Sequence, residues 1–120
     1  MNNAEFNETV RNRTEDLAVH TILLMEPVPF NSATKVLTFQ LIKSVTSVGA
    51  NFRSFCRGRS KNEKFSKICI VVEEADETIY WLNLLWKTNY LTAQKINFPQ
   101  NEMLEILKIS QTIKTALTPT

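Results

Sequence analysis

The segment from residue 60 to residue 88 carries the pattern that most restricts the fold of this chain. Apolar side chains recur in it at alternating spacings of three and four residues, at Phe65, Ile68, Val72, Ala75, Ile79, Leu82 and Trp86. These are a and d positions of three heptads, which is typical of a helix in a left-handed bundle with a crossing angle of about +20°. Ser60 and Glu63 fit the S-x-x-E capping box, so the helix is predicted to begin at residue 60.

Three further amphipathic segments predict three more helices, over residues 4–25, 32–56 and 99–117. Their ends are indicated by Pro27 and Pro29 after the first, by Asn31 or Ser32 before the second, and by Asn97 just before Pro99 for the last. The chain has only two glycines and four prolines among 120 residues, too few for the many turns of an all-β fold. We therefore predict a single all-α domain, an antiparallel up-down four-helix bundle spanning residues 1–120.

Composition and missing motifs exclude several function classes. There is one histidine, His20, and neither a Glu-x-x-His motif nor a glycine-rich phosphate loop, so a metal site, a catalytic site and a bound cofactor are not expected. No apolar run approaches the roughly 20 residues of a membrane span, and the first residues do not form a secretory signal. We expect a cytoplasmic protein without an enzymatic activity, a membrane partner or a small-molecule substrate, with Cys56 and Cys69 as reduced thiols.

Charge is unevenly distributed although the net charge is only +2. Six basic residues and one acid lie between residues 51 and 67, around the predicted turn from the second helix to the third. The side chains that we predict to contact phosphates are Arg53, Arg57, Arg59, Lys61 and Lys64. A solvated helix end without a ligand is the alternative interpretation. Four acids follow directly, at Glu73, Glu74, Asp76 and Glu77.

The third helix also has apolar side chains away from its heptad stripe, at Tyr80, Trp81 and Leu84. An apolar patch opposite the core usually marks an interface, so these three residues are predicted to contact another copy of the chain. The alternative is a wide core stripe edged by two amphipathic rings. In the second helix, small residues around Gly49 indicate either a local kink or the close approach of a neighbouring helix.

Three strings in the middle of the chain resemble a known family. They are T-S-V-G-A-N-F at residues 46–52, R-x-R-S-K at residues 57–61, and E-E-A-D-E-T-I-Y-W-L-N-L-L at residues 73–85. In combination they resemble the four-helix-bundle proteins encoded in intervening sequences of bacterial 23S ribosomal RNA genes. The family motif positions are Ser47, Gly49, Ala50, Asn51, Arg59, Ser60, Glu74, Glu77, Tyr80 and Trp81. This chain departs from many relatives by having R-S-F-C at residues 53–56, where an acidic residue and a glycine often follow the asparagine.

The resemblance implies an up-down bundle that assembles as a homopentamer with a central channel, and it implies no established enzymatic activity. It also suggests a similarity to the accessory pentamers of diversity-generating retroelements, which bind nucleic acid and a reverse transcriptase. Within this picture Asn51 is expected to tether the junction of helices two and three by hydrogen bonds. The predicted function is a non-enzymatic homo-oligomer that binds RNA or DNA through the basic turn. The alternative is a structural or protein–protein interaction oligomer with no nucleic-acid role.

Overall fold

Four helices make up the computed structural model, which describes residues 2–118. They are α1 (Asn3–Met25), α2 (Ser32–Cys56), α3 (Lys61–Lys87) and α4 (Ala93–Leu117). No strand occurs within residues 2–118, and each helix packs against two neighbours in an elongated body of 46 × 25 × 20 Å. The prediction of an all-α four-helix fold is confirmed.

Contacts between α1 and α2 show how these two helices are aligned. The Cys56 Sγ atom lies 3.8 Å from the carbonyl oxygen of Asn7, and Thr14 faces Gly49. Residue numbers therefore rise along α1 while they fall along α2, which is the order expected of antiparallel neighbours.

Polar side chains cap α2 and α3 where the sequence indicates. The Asn31 side chain accepts hydrogen bonds from the N–H groups of Ala33 and Thr34, and Thr34 Oγ1 accepts from the Asn31 N–H, so Asn31 and not Ser32 is the cap of α2. At α3, Ser60 Oγ accepts from the Glu63 N–H at 3.0 Å, as predicted. The Glu63 carboxylate, however, accepts from the N–H of Arg59 at 2.6 Å, one residue before the partner that a capping box uses.

The predicted start of the last helix was wrong by six residues. Helix α4 begins at Ala93, is capped by Thr92 rather than by Asn97, and carries Pro99 inside it. Proline lacks an N–H for the carbonyl four residues earlier, which makes an interior position unfavourable. Here the ring of Pro99 is buried, as is Ile96 one turn before it, so packing offsets the lost hydrogen bond.

Helix α3 ends in a Schellman motif. Asn89 has a positive φ of 65°, and the N–H groups of Tyr90 and Asn89 donate to the carbonyl oxygens of Leu85 and Trp86, both at 3.0 Å. Trp86 was predicted in the core stripe but its side chain is 42% exposed. The buried side of α3 instead consists of Ile68, Val71, Ala75, Thr78, Leu82 and Leu85. The observed stripe keeps the alternating spacing of three and four residues and shares Ile68, Ala75 and Leu82 with the predicted one. Its other members lie one residue earlier than predicted, so α3 is rotated slightly about its axis relative to the expected orientation.

Two apolar clusters fill the interior, with a pair of buried hydroxyl groups placed between them along the chain. One cluster surrounds Phe52 and the other surrounds Leu41 and Leu82. Between them, Thr78 Oγ1 lies 2.9 Å from Ser44 Oγ, so the two hydroxyl groups satisfy each other and nearby carbonyls inside the core.

Gly49 marks the place where α1 approaches α2 closely. Helix α2 runs without interruption through this residue, and a Cβ atom added there would lie 3.6 Å from Thr14 Oγ1. The close-approach interpretation of the small residues is therefore the correct one. An added methyl group would still be in ordinary van der Waals contact.

This spacing predicts that Gly49→Ala stabilises the protein. Alanine is favoured over glycine inside a helix by about 1 kcal/mol, and no neighbour needs to move. We expect the free energy of unfolding in urea to rise by about that amount.

Gly58→Ala is the matched control, because its Cβ would lie 2.6 Å from Lys64 Cγ and 3.2 Å from the carbonyl oxygen of Phe55. We expect this variant to lose stability. A decrease in stability for Gly49→Ala as well would contradict the packing of α1 on α2.

Candidate nucleic-acid interface

The five predicted phosphate-binding residues lie at one end of the bundle, around the turn from α2 to α3. Four of them are exposed and Lys64 is half-buried. Within residues 2–118 the ion pairs closer than 4.0 Å involve only Arg11 and Arg13. None of the five predicted cations is therefore neutralised by a carboxylate of the described chain, which leaves this end strongly positive.

The structure divides these residues between two surface depressions. The first, the α1–α2 cleft, contains a basic compartment of about 520 Å³ between the start of α1 and the end of α2. It brings together four cationic side chains, Arg11, Arg53, Arg57 and Lys64. The other side chains that line it are Asn3, Ala4, Asn7, Glu8 and Cys56.

A second part of the α1–α2 cleft, the small-residue compartment, adjoins the basic one. It has a volume of about 320 Å³ and is lined by Arg11, Thr14, Glu15, Ala18, Thr46, Gly49, Ala50 and Arg53. Arg11 and Arg53 line both compartments. The motif residues Gly49 and Ala50 therefore do two things: they admit α1 closely and they leave an open space beside two guanidinium groups.

The other depression lies across the turn between α2 and α3. It has a volume of about 460 Å³ and includes Arg57, Arg59 and Lys67, with Glu63 among them. Glu63 is engaged by the backbone N–H of Arg59. Lys61 lines neither depression. Of the predicted cations, Arg53, Arg57 and Lys64 thus converge on α1, whereas Arg59 and Lys61 do not.

Arg11 is the cleft residue that sequence analysis missed. It belongs to a different helix, more than forty positions from the basic cluster, and the periodicity of α1 gives no sign that it faces Arg53. Its guanidinium group lies 3.3 Å from the Glu8 carboxylate, in a pair near the protein surface. Such a pair contributes little stability and is readily exchanged for a stronger anion.

The pKa of the Cys56 thiol depends on the charged side chains of the basic compartment. Burial raises the pKa of its thiol, the positive charges of Arg11 and Lys64 lower it, and Glu8 raises it. Three charged groups from α1 and α3 therefore surround this one sulfur atom. Because the thiol is shifted toward its protonated form, it is not an activated nucleophile.

Arg13 shows the opposite arrangement only two residues from Arg11. Its guanidinium group binds both oxygens of Glu102 at 2.7 and 3.0 Å and also Glu105 at 3.0 Å, which ties α1 to α4. The hydrogen bond to Glu102 is the main reason that the pKa of Arg13 is raised. This bidentate pair uses the charge of Arg13 inside the fold, so Arg13 is not free to bind a ligand.

The polar motif residues act within the protein itself. Asn51 donates from Nδ2 to the carbonyl oxygen and the hydroxyl of Ser47, at 2.9 and 3.0 Å. It therefore stabilises one turn of α2, and the expected tether across the junction of α2 and α3 was wrong.

Glu74 is a motif residue on α3. Burial and the neighbouring Glu77 raise the pKa of its carboxyl group, and its backbone carbonyl oxygen accepts a hydrogen bond from the hydroxyl of Thr78.

The three predicted interface residues of α3 differ in exposure. Tyr80 is 54% exposed and Leu84 is half-buried. Trp81 packs against the cluster around Leu41 and Leu82 of its own chain, and its Nε1–H is buried without a partner among the described residues. Trp81 therefore fits the alternative interpretation of a wide core stripe. Of the two aromatic rings, that of Tyr80 faces solvent.

The remaining chemistry of the described chain is sparse. His20 is exposed, and its ring packs edge-on against Phe98 with 4.9 Å between centroids. No group of three His, Cys, Asp or Glu side chains in residues 2–118 is arranged to hold a metal ion. None of α1 to α4 combines the length and the apolar character needed to cross a membrane.

A comparison with protein families agrees with the motifs and the fold. The family described as 23S rRNA-intervening sequence protein matches residues 7–112, which extend from α1 into α4. The chain belongs to this family. The matched span includes all four cations of the α1–α2 cleft, whereas Asn3 and Ala4 of its basic compartment precede the span.

A solved structure gives the same result for the fold. A crystal structure of a protein with unknown function from the S23 ribosomal protein family of Bacteroides thetaiotaomicron is 31% identical, with a TM-score of 0.81. The similarity covers 91% of this chain and 97% of that one. A search among curated proteins found no match.

Proposed function

We propose that this protein is a non-enzymatic module that binds RNA or DNA by its phosphate groups at the basic end of the bundle. The observation that carries the proposal is the convergence of Arg53, Arg57 and Lys64 with Arg11 around one cleft, without paired carboxylates on the first three. Arg59 and Lys61 extend the positive surface over the turn. Phosphate contacts of this kind supply most of the affinity of a nucleic-acid complex.

The family description names the intervening sequence of 23S rRNA, where these proteins are encoded, and the phosphate groups that the cleft suits are common to RNA and DNA; we propose RNA as the partner. The net charge of +2 means that attraction comes from one concentrated patch rather than from the whole surface. Binding by a single subunit is then weak and strongly dependent on salt.

The absence of a reaction is part of the proposal. The half-buried Cys56 has the carbonyl oxygen of Asn7 as its hydrogen-bond partner, and that group accepts no proton from a thiol during a reaction. The single histidine lies in the second half of α1 and does not line the cleft; of the two carboxylates that do, Glu8 is paired with Arg11. These features support binding without catalysis.

Self-assembly completes the proposed function. Following the family resemblance, we infer a homopentamer in which each subunit presents one basic end, so that several weak contacts act together on one nucleic acid. Tyr80 and the neighbouring Leu84 on the outer side of α3 support an interface there.

A second candidate function is an oligomer that binds other proteins and no nucleic acid. It is favoured by exposed apolar side chains outside α3, notably Leu23 on α1 and Phe39 on α2, which are 55% and 63% exposed. Such side chains on a helix surface are typical of protein contacts when they form a patch.

The first prediction concerns binding of structured ribosomal RNA. Arg57→Glu/Arg59→Glu removes two cations that bind phosphates, so the affinity at 0.1 M salt is expected to fall by roughly tenfold or more. Each phosphate that a protein neutralises contributes about 0.7 on a single strand, and about 0.9 on duplex DNA, to the slope of log affinity against log salt. For structured RNA this slope should therefore become shallower by roughly 1.4 to 1.8. Fluorescence anisotropy at several salt concentrations measures both quantities.

Lys35→Glu/Lys95→Glu is the matched control for that experiment. It changes the net charge equally, but its residues are near the starts of α2 and α4, at the opposite end of the bundle. The control should bind nearly as the natural protein does. Equal losses of affinity in the two double variants would show a general charge effect and would contradict a site at the basic end.

The second prediction concerns assembly. If Tyr80 lies in the interface, Tyr80→Lys should lower the particle mass measured by light scattering while the helical circular-dichroism signal is unchanged. A charge buried against an apolar partner costs several kcal/mol, which is enough to dissociate most oligomers.

Leu23→Lys is the control, since Leu23 is as exposed as Tyr80 and the added charge is the same. Dissociation of the Leu23 variant alone would place the interface on α1. A protein that is monomeric before any substitution would rule out the ring.

A further inference from the structure

The α1–α2 cleft has two compartments of different chemistry that share two arginines. The basic compartment offers four cations and suits a phosphate group, whereas five of the eight residues that line the small-residue compartment are uncharged and small, and Glu15 offsets one of its two arginines. We propose that the cleft takes one nucleotide unit, with its phosphate in the basic compartment and its base in the small-residue compartment. This inference rests on the proposed nucleic-acid binding and specifies it further.

The size of the two compartments supports a ligand of that class. Volumes of about 320 and 520 Å³ lie in the range of small-molecule clefts. An inorganic phosphate would fill only a fraction of this space. A ligand that uses both compartments must join an anionic group to an uncharged, compact body, as a nucleotide does.

Arg11 and Arg53 lie where such a ligand would be held most firmly. A guanidinium group binds phosphate through its N–H fork and also stacks on the flat face of an aromatic ring. Since both side chains line both compartments, each can contact the phosphate or the base without leaving the cleft. The exposed pair between Arg11 and Glu8 is the contact that a phosphate would displace.

The floor of the small-residue compartment predicts little selectivity among bases. Its alanines and Gly49 have no side-chain donors. The hydroxyl of Thr14 donates to the carbonyl oxygen of Arg11 at 2.6 Å, and that of Thr46 donates to the carbonyl oxygen of Ile42 at 2.6 Å. With both hydroxyl protons engaged, polar contacts to a base are left to Arg11, Arg53 and Glu15, and stacking on a guanidinium group does not depend on the identity of the base.

The nucleotide belongs either to a single-stranded RNA or to a free nucleoside monophosphate, since the two present the same groups to the cleft. Base-paired RNA does not, because its bases are stacked inside the helix. The cleft therefore predicts a preference for single-stranded over duplex RNA. The depression at the α2–α3 turn has three cations, Arg57, Arg59 and Lys67, and binds phosphates of either form.

Alkylation of Cys56 in the full-length protein tests occupancy directly. Iodoacetamide labelling is followed by peptide mass spectrometry, with a single-stranded 12-nucleotide RNA, adenosine 5′-monophosphate, adenosine or inorganic phosphate as the probe. At about four times its dissociation constant, RNA or the monophosphate should slow labelling of Cys56 about fivefold. Cys69 on α3, also half-buried, serves as the control in the same molecule and should be labelled at an unchanged rate.

The variant Ala50→Leu distinguishes the contribution of the small-residue compartment from that of the basic one. Its larger side chain would fill the space beside Gly49 while leaving the cations in place. We expect the affinity for single-stranded RNA and for the monophosphate to fall about fivefold or more because the base no longer stacks there, with duplex binding unchanged. Ala33→Leu makes the same substitution at an exposed position near the start of α2 and should change neither affinity.

The outcomes distinguish this inference from the function on which it rests. RNA binding that is insensitive to Ala50→Leu and leaves Cys56 unprotected overturns the nucleotide cleft but retains a nucleic-acid role for the turn. Equal protection by phosphate and by the monophosphate overturns the base compartment. If the monophosphate protects Cys56 but no RNA binds, the nucleotide cleft is retained and the proposed function is overturned. If no probe binds or protects Cys56, the nucleotide cleft and the proposed function are both overturned.

Discussion

The close packing of α1 on α2 at Thr14 and Gly49 is the contact on which the arrangement of this protein depends. It fixes the register of the two helices, and that register brings Arg11 to the side of α2 that carries Arg53. A bulky side chain at residue 49 would push the helices apart and spread these charges. The same small residues that allow close packing leave an open groove beside it, so helix contact and cleft have one structural cause.

The cations at the basic end differ from Arg13 because, in the part of the chain that the structure describes, they form no ion pair that holds two helices together. Arg13 binds Glu102 and Glu105 between α1 and α4, whereas Arg53, Arg57 and Lys64 have no carboxylate partner within residues 2–118. Unpaired cations at close spacing repel one another and would be unfavourable without an anion nearby. The polyanionic partner proposed above would supply that anion.

Local signals in the sequence predict the helices well and their mutual placement poorly. The apolar periodicity and the caps at Asn31 and Ser60 set three of the four helices to within one or two residues. Pro99 misled the prediction of α4, since a local rule against interior proline cannot anticipate that burial of the ring outweighs the missing hydrogen bond. Arg11 and the true environment of Trp81 depend on which faces meet across helices, and that information is tertiary.

The central claim is that bound RNA lies along the α1–α2 cleft, and photo-cross-linking tests it most directly. A single-stranded RNA containing 4-thiouridine, irradiated in complex with the protein and analysed by peptide mass spectrometry, should give adducts on residues 3–18 of α1 and on residues 46–57, which are the end of α2 and its C-cap. Adducts confined to the acidic side of α3 around Glu73 and Glu77, or to α4, would contradict the account.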